Sequence, residues 1–158
     1  EGQIDPSRAA GLAAELLAAG AEQVSLGDTT GMGNPALVRR VLAAMRVEGV
    51  PLERLSLHMH DTRGTALANV LAGLESGVRS FDSSVAGLGG CPYAAGASGN
   101  LATEDLVFML EEMGYETGVD LEAAAEAGHW IEQALGRELP GRFHQYHRAQ
   151  RVTRAETG

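Results

Sequence analysis

His58 and His60 stand two residues apart in the run Arg54 to His60, which reads as a strand, so their side chains project to one face near its C-terminal end. Two imidazoles placed that way can chelate one cation. Asp28 follows the strand candidate Gln23 to Gly27 at the equivalent end, and Asn100, beyond the next strand, can add an oxygen. A His, His, carboxamide set with carboxylates nearby suits Mg2+, Mn2+ or Fe2+ better than a closed structural zinc site. The competing reading is a pair of hydrogen-bonded histidines at a strand rim, and His129, His144 and His147 carry only that reading. Asp61 and Asp82 also end strands, where capping a turn accounts for them as well as chemistry does.

A second candidate lies between Gly87 and Asn100, where five glycines in fourteen residues surround Cys91, the only cysteine. Such a stretch has little to bury, so it reads as a functional lid whose thiol and carboxamide are placed for chemistry. The alternative is Cys91 as a small buried hydrophobe. Gly31-Met32-Gly33-Asn34-Pro35-Ala36 fits a variant dinucleotide fingerprint only formally. Pro35 removes an N–H donor that a pyrophosphate would use, and no strand-end acid follows at the required distance.

Positioning these residues requires alternating elements. Asp5-Pro6 and Asn34-Pro35 are cap-plus-proline signals for helices over Ser7 to Ala19, closed by Gly20, and up to about Arg46. Gly64 to Ser76 reads as a helix ended by Gly77, and Val78 to Val85 as the third strand. Thr103 is the expected cap of a helix reaching Met113, and a last helix covers about Leu121 to Leu135. Strands alternating with helices predict an α/β fold with parallel strands. Residues 1–139 are expected to form the folded domain. The tail from Pro140, with Arg142, His144, His147, Arg148, Arg151 and Arg154, is expected to be solvated or partner-contacting.

A formal charge of −9 and a pI near 4.9 oppose nucleic-acid binding. No apolar run approaches the ~20 residues of a membrane span, so no membrane partner is expected. One cysteine excludes an internal disulfide and fits a reducing compartment, from which a cytoplasmic location is expected.

The runs Ser25-Leu26-Gly27-Asp28-Thr29, His58-Met59-His60-Asp61-Thr62 and Gly87 through Asp105 together resemble the 3-hydroxy-3-methylglutaryl-CoA (HMG-CoA) lyase family of metallolyases, from about Gly2 to Leu135. The resemblance implies the later part of a TIM (β/α)8 barrel, strands six to eight with their helices, followed by C-terminal helices. It further implies that His58, His60 and Asn100 bind a divalent cation, Mg2+ or Mn2+. Cys91 would be a catalytic thiol, Asp28 and His58 candidate proton acceptors, and Glu104 a support for the loop. The substrate would be an acyl-CoA and the full-length protein a homo-oligomer. The family's first-strand Arg-Asp pair has no counterpart in this chain. Related condensing enzymes usually follow the paired histidines with Asn-Asp; Asp61-Thr62 here favours cleavage.

Overall fold

The computed structural model describes residues 4–90 and 99–157. The chain forms two compact units, one ending at Asp82 and the other beginning at Ser83.

In the first unit, α1 (Pro6–Ala18) starts where the Asp5 carboxylate accepts the Ser7 N–H at 2.9 Å, and α2 (Pro35–Val47) where Asn34 Oδ1 accepts the Leu37 N–H at 3.0 Å. Val38, Leu42 and Met45 recur at helical spacing and form the buried face of α2. α3 (Ala66–Ser76) ends at Gly77 in the left-handed region, φ 110°. Three strands, β1 (Val24–Asp28), β2 (Leu55–Met59) and β3 (Ser80–Asp82), pair in parallel in that order. Leu55, Leu57 and Met59 of the central strand share one face of the sheet and are all buried, and Ser56 on the opposite face is buried as well. The register sets Gly27 opposite His58, Asp28 opposite Met59 and His58 opposite Asp82, so every candidate of this unit falls at one end of the sheet.

The third strand is shorter than Val78 to Val85. Val78 turns its N–H back to the Gly73 carbonyl at 3.0 Å, which completes the end of α3. Past Asp82 the chain enters the second unit, where Ser84 forms a parallel bridge with Ala102.

In that unit a single 3-10 turn, Val85–Gly87, precedes α4 (Thr103–Glu112), α5 (Leu121–Leu135) and α6 (Arg142–Thr157). Ala102, not Thr103, is the cap of α4, because the Thr103 hydroxyl is engaged with Ser83 Oγ at 2.9 Å. The segment expected to be a solvated tail is helix α6, packed against α4 and α5. Its polar groups find partners inside the unit. Asp105 accepts the N–H groups of Arg142 and Phe143 at 3.0 and 2.6 Å, capping the helix, and His144 is only 1% exposed. Among the described residues, no helix is long and apolar enough to cross a membrane.

Candidate active site

His58 and His60 extend from the C-terminal end of β2 with ring centroids 5.4 Å apart. His58 Nδ1 lies 3.3 Å from Asp82 Oδ2, and the same carboxylate oxygen accepts the Ser25 hydroxyl at 3.0 Å. An N–H donated from Nδ1 to Asp82 leaves Nε2 of His58 with its lone pair. His60 is buried, and its Nδ1 has no hydrogen-bond partner. Burial, reinforced by the neighbouring His58, pushes the His60 pKa below its ordinary value, against the pull of Asp28. That favours the neutral imidazole.

A buried nitrogen without a partner, on a ring held neutral beside a second imidazole, is what a divalent cation needs from histidine ligands. The residues present therefore fit a cation. They do not complete a site by themselves: among the described residues, no group of three or more His, Cys, Asp or Glu side chains is arranged to hold one.

Asp28 closes β1 with both oxygens engaged, Oδ1 accepting the Met32 N–H at 3.0 Å and Oδ2 the Gly33 N–H at 2.9 Å. It anchors the turn into α2 as well as facing His60. Below that turn sits Asn69 of α3, fully buried, with neither amide atom hydrogen-bonded. Asn69 was missed as a site residue, and Asp82 was left open between capping a turn and chemistry. An asparagine inside the apolar run Ala66 to Leu71 was the available signal for the first. The second needed the strand register.

Asn100 and Glu104 belong to the second unit. Asn100 donates its amide N–H to the Leu88 carbonyl at 3.2 Å, which fixes Oδ1 as the end available to a cation. Glu104 is fully buried and takes the Ala86 N–H on both oxygens, at 3.0 and 2.7 Å. Burial pushes its carboxyl pKa up, opposed by the Ala86 N–H and the charge of His144. Cys91 lies outside the described residues.

The HMGL-like family model matches residues 1–131. The chain belongs to the HMGL-like family. It is 52% identical over 145 residues to the mitochondrial hydroxymethylglutaryl-CoA lyase of Homo sapiens, covering 92% of this chain and 44% of that protein. The solved hydroxymethylglutaryl-CoA lyase of Pseudomonas aeruginosa superposes with a TM-score of 0.91 at 47% identity, over 95% of this chain and 50% of that one. An HMG-CoA lyase of Acinetobacter baumannii, solved in complex with coenzyme A and 3-methylmalate, gives 0.84 at 43% identity over 92% and 47%. The HMGL-like chain thus spans about half the length of these relatives, and its three-stranded parallel sheet with helices is of the TIM-barrel type. The expectation of a cytoplasmic location is corrected, since mammalian relatives are named mitochondrial. One cysteine in this sequence does not choose among compartments.

Proposed function

We propose that this chain supplies the later strands, six to eight, of a TIM barrel that cleaves 3-hydroxy-3-methylglutaryl-CoA to acetyl-CoA and acetoacetate with the help of Mg2+ or Mn2+. The observation that carries the reading is the buried, partnerless Nδ1 of His60 beside His58 at the strand ends of a chain about half identical to HMG-CoA lyases.

Cleavage of a tertiary alcohol β to a thioester needs removal of the hydroxyl proton, departure of the C–C electron pair into an acetyl-CoA enolate, and protonation of that enolate. The cation, when bound, polarises the hydroxyl and lowers its pKa. His58, His60 and Asn100 are its proposed ligands. Asp82 orients the His58 ring, a support whose loss typically weakens metal sites ~10–100-fold. Asp28 is the proton acceptor this cluster offers, at a typical general-base gain of ~10²–10⁴, whereas His58, with Nδ1–H on Asp82 and Nε2 given to the cation, keeps no lone pair for that role. Cys91 is the proposed donor to the enolate carbon, and Glu104 supports the turn that leads to it. An acyl-CoA substrate is consistent with the coenzyme A bound by the Acinetobacter baumannii relative.

The test is acetoacetate release from HMG-CoA by the complete barrel that contains this segment. Metal-dependent release, abolished in His60→Ala, is expected; release unaffected by that substitution or by chelator overturns the reading.

A further inference from the structure

The turn Val85–Gly87 is held in an unusual conformation by Glu104 of α4 and by the N–H of Gly141. Ala86 is the one non-glycine residue with positive φ among those described, at 51°, a state that costs an L-residue energy and persists only when its surroundings enforce it. Both of its backbone groups are fastened. The N–H goes to Glu104 of α4, and the carbonyl accepts the N–H of Gly141, which immediately precedes α6, at 3.0 Å.

The Glu104 carboxylate has a neighbour across a gap in α5. A Cβ built on Gly128 would stand 2.9 Å from Glu104 Oε1 and also 2.9 Å from His144 Nδ1, with Ala86 Cβ at 3.2 Å. Glycine at 128 is thus what lets the two polar groups converge. His144 is anchored from its other side: Nε2 donates to Glu132 Oε2 at 2.9 Å, and Glu132 Oε1 accepts the Leu139 N–H at 3.1 Å and Arg148 at 2.9 Å. This leaves Nδ1, buried and without a partner of its own, beside Glu104.

We propose that His144, on a helix beyond the residues matched by the family model, is a positioning residue that works through Glu104 to hold the left-handed Ala86 turn at the entrance to the glycine-rich segment. Its consequence for catalysis rests on the function proposed above, but the placement of His144 and Glu104 about Gly128 does not, and its test requires no turnover. The ring has two separable ends. Nε2 ties α6 to α5 through Glu132, while Nδ1 faces Glu104, so a purely structural histidine depends on the first end and a positioning one on the second.

The experiment is amide hydrogen exchange of the full chain by NMR, reading Ala86 against Leu57 and Val70 in the other unit, with alkylation of Cys91 by iodoacetamide as a second readout. His144→Asn retains a polar atom near Nδ1 and gives up the bond to Glu132; His144→Gln does the reverse. Ala86 protection is expected to stay within about threefold of the unmodified chain in His144→Asn and to fall about tenfold or more in His144→Gln, the scale of one hydrogen bond to a charged acceptor. Cys91 alkylation should change only in the Gln variant. The opposite order, or protection that falls equally in both, overturns the proposal. Glu132→Gln covers failure of a His144 variant to fold, because it keeps an acceptor for Nε2. It must leave Ala86 protected, and loss of protection there also overturns the proposal. An inactive barrel with the expected exchange pattern would refute the proposed function and leave this inference standing.

Discussion

Replacing Gly128 by alanine should destabilise the chain, although the same change in an ordinary helix stabilises it. Gly128 lies in the interior of α5 with no positive φ, so helix propensity alone favours alanine by ~1 kcal/mol. The added Cβ would meet Glu104 Oε1 and His144 Nδ1 at 2.9 Å, closer than real Cβ contacts allow, and Ala86 Cβ at 3.2 Å, a tight contact. Neither polar group has a free route out of the way, because Glu104 is tied to Ala86 and His144 to Glu132. Overpacking costs ~1–3 kcal/mol, and weakening the buried bond from Ala86 to a carboxylate adds ~1.5–3 kcal/mol. Set against the propensity gain, the net loss is ~1.5–5 kcal/mol, or a drop in Tm of roughly 3–20 °C for a chain of this size. Gly11 in α1, whose Cβ would meet nothing within 4 Å, is the matched control and should gain up to ~1 kcal/mol as alanine. Both variants are compared by thermal and urea unfolding followed by circular dichroism. Gly128→Ala melting at or above the parent would mean that the space beside Gly128 accepts a methyl group.

Asp82→Asn should weaken Mn2+ binding ~10–100-fold in calorimetric titration by releasing the His58 ring, with little effect on Tm at this half-exposed site. His58→Ala and His60→Ala should weaken it further, and unchanged affinity in both would return the pair to rim histidines. Burial alone would raise the Glu132 carboxyl, but the bonds from His144 and Leu139 and the Arg148 charge hold it below the ordinary 4.5. A lowered folded value means stability that is present above 4.5 and lost as pH falls through the folded value. Urea midpoints of Glu132→Gln should therefore fall less steeply with acid than those of the parent, and parallel curves would contradict this. In the complete barrel, Cys91→Ser should keep Tm and lower kcat; a lowered Tm with normal kcat would make the thiol a packing group.

Much of the first unit was legible because its signals are local. Asp5-Pro6, Asn34-Pro35 and Gly77 each mark a helix end by chemistry within a few residues, and the two-residue spacing of His58 and His60 set them on one face of a strand. The second unit was less legible. Its core contains the charged or polar side chains Glu104, Glu132 and His144, which composition assigns to the surface and which are buried only because they pair across helices far apart in sequence. For the same reason α6 read as a solvated tail: nothing near Arg142 announces that Asp105, 37 residues earlier, caps it. Asp82 read as a strand-end acid because its partnership with His58 exists only through the pairing of β2 with β3.

The central claim, that the strand-end histidines serve a metal-dependent carbon–carbon cleavage, is tested most directly by one coupled measurement on the complete barrel. Acetyl-CoA and acetoacetate are quantified from HMG-CoA while Mn2+ is titrated, for the parent and for His60→Ala. Expected are the two products in equal amounts, a rate that saturates with Mn2+, and loss of both metal response and turnover in the variant. Equal turnover in His60→Ala, or full activity in the presence of excess chelator, would contradict the claim.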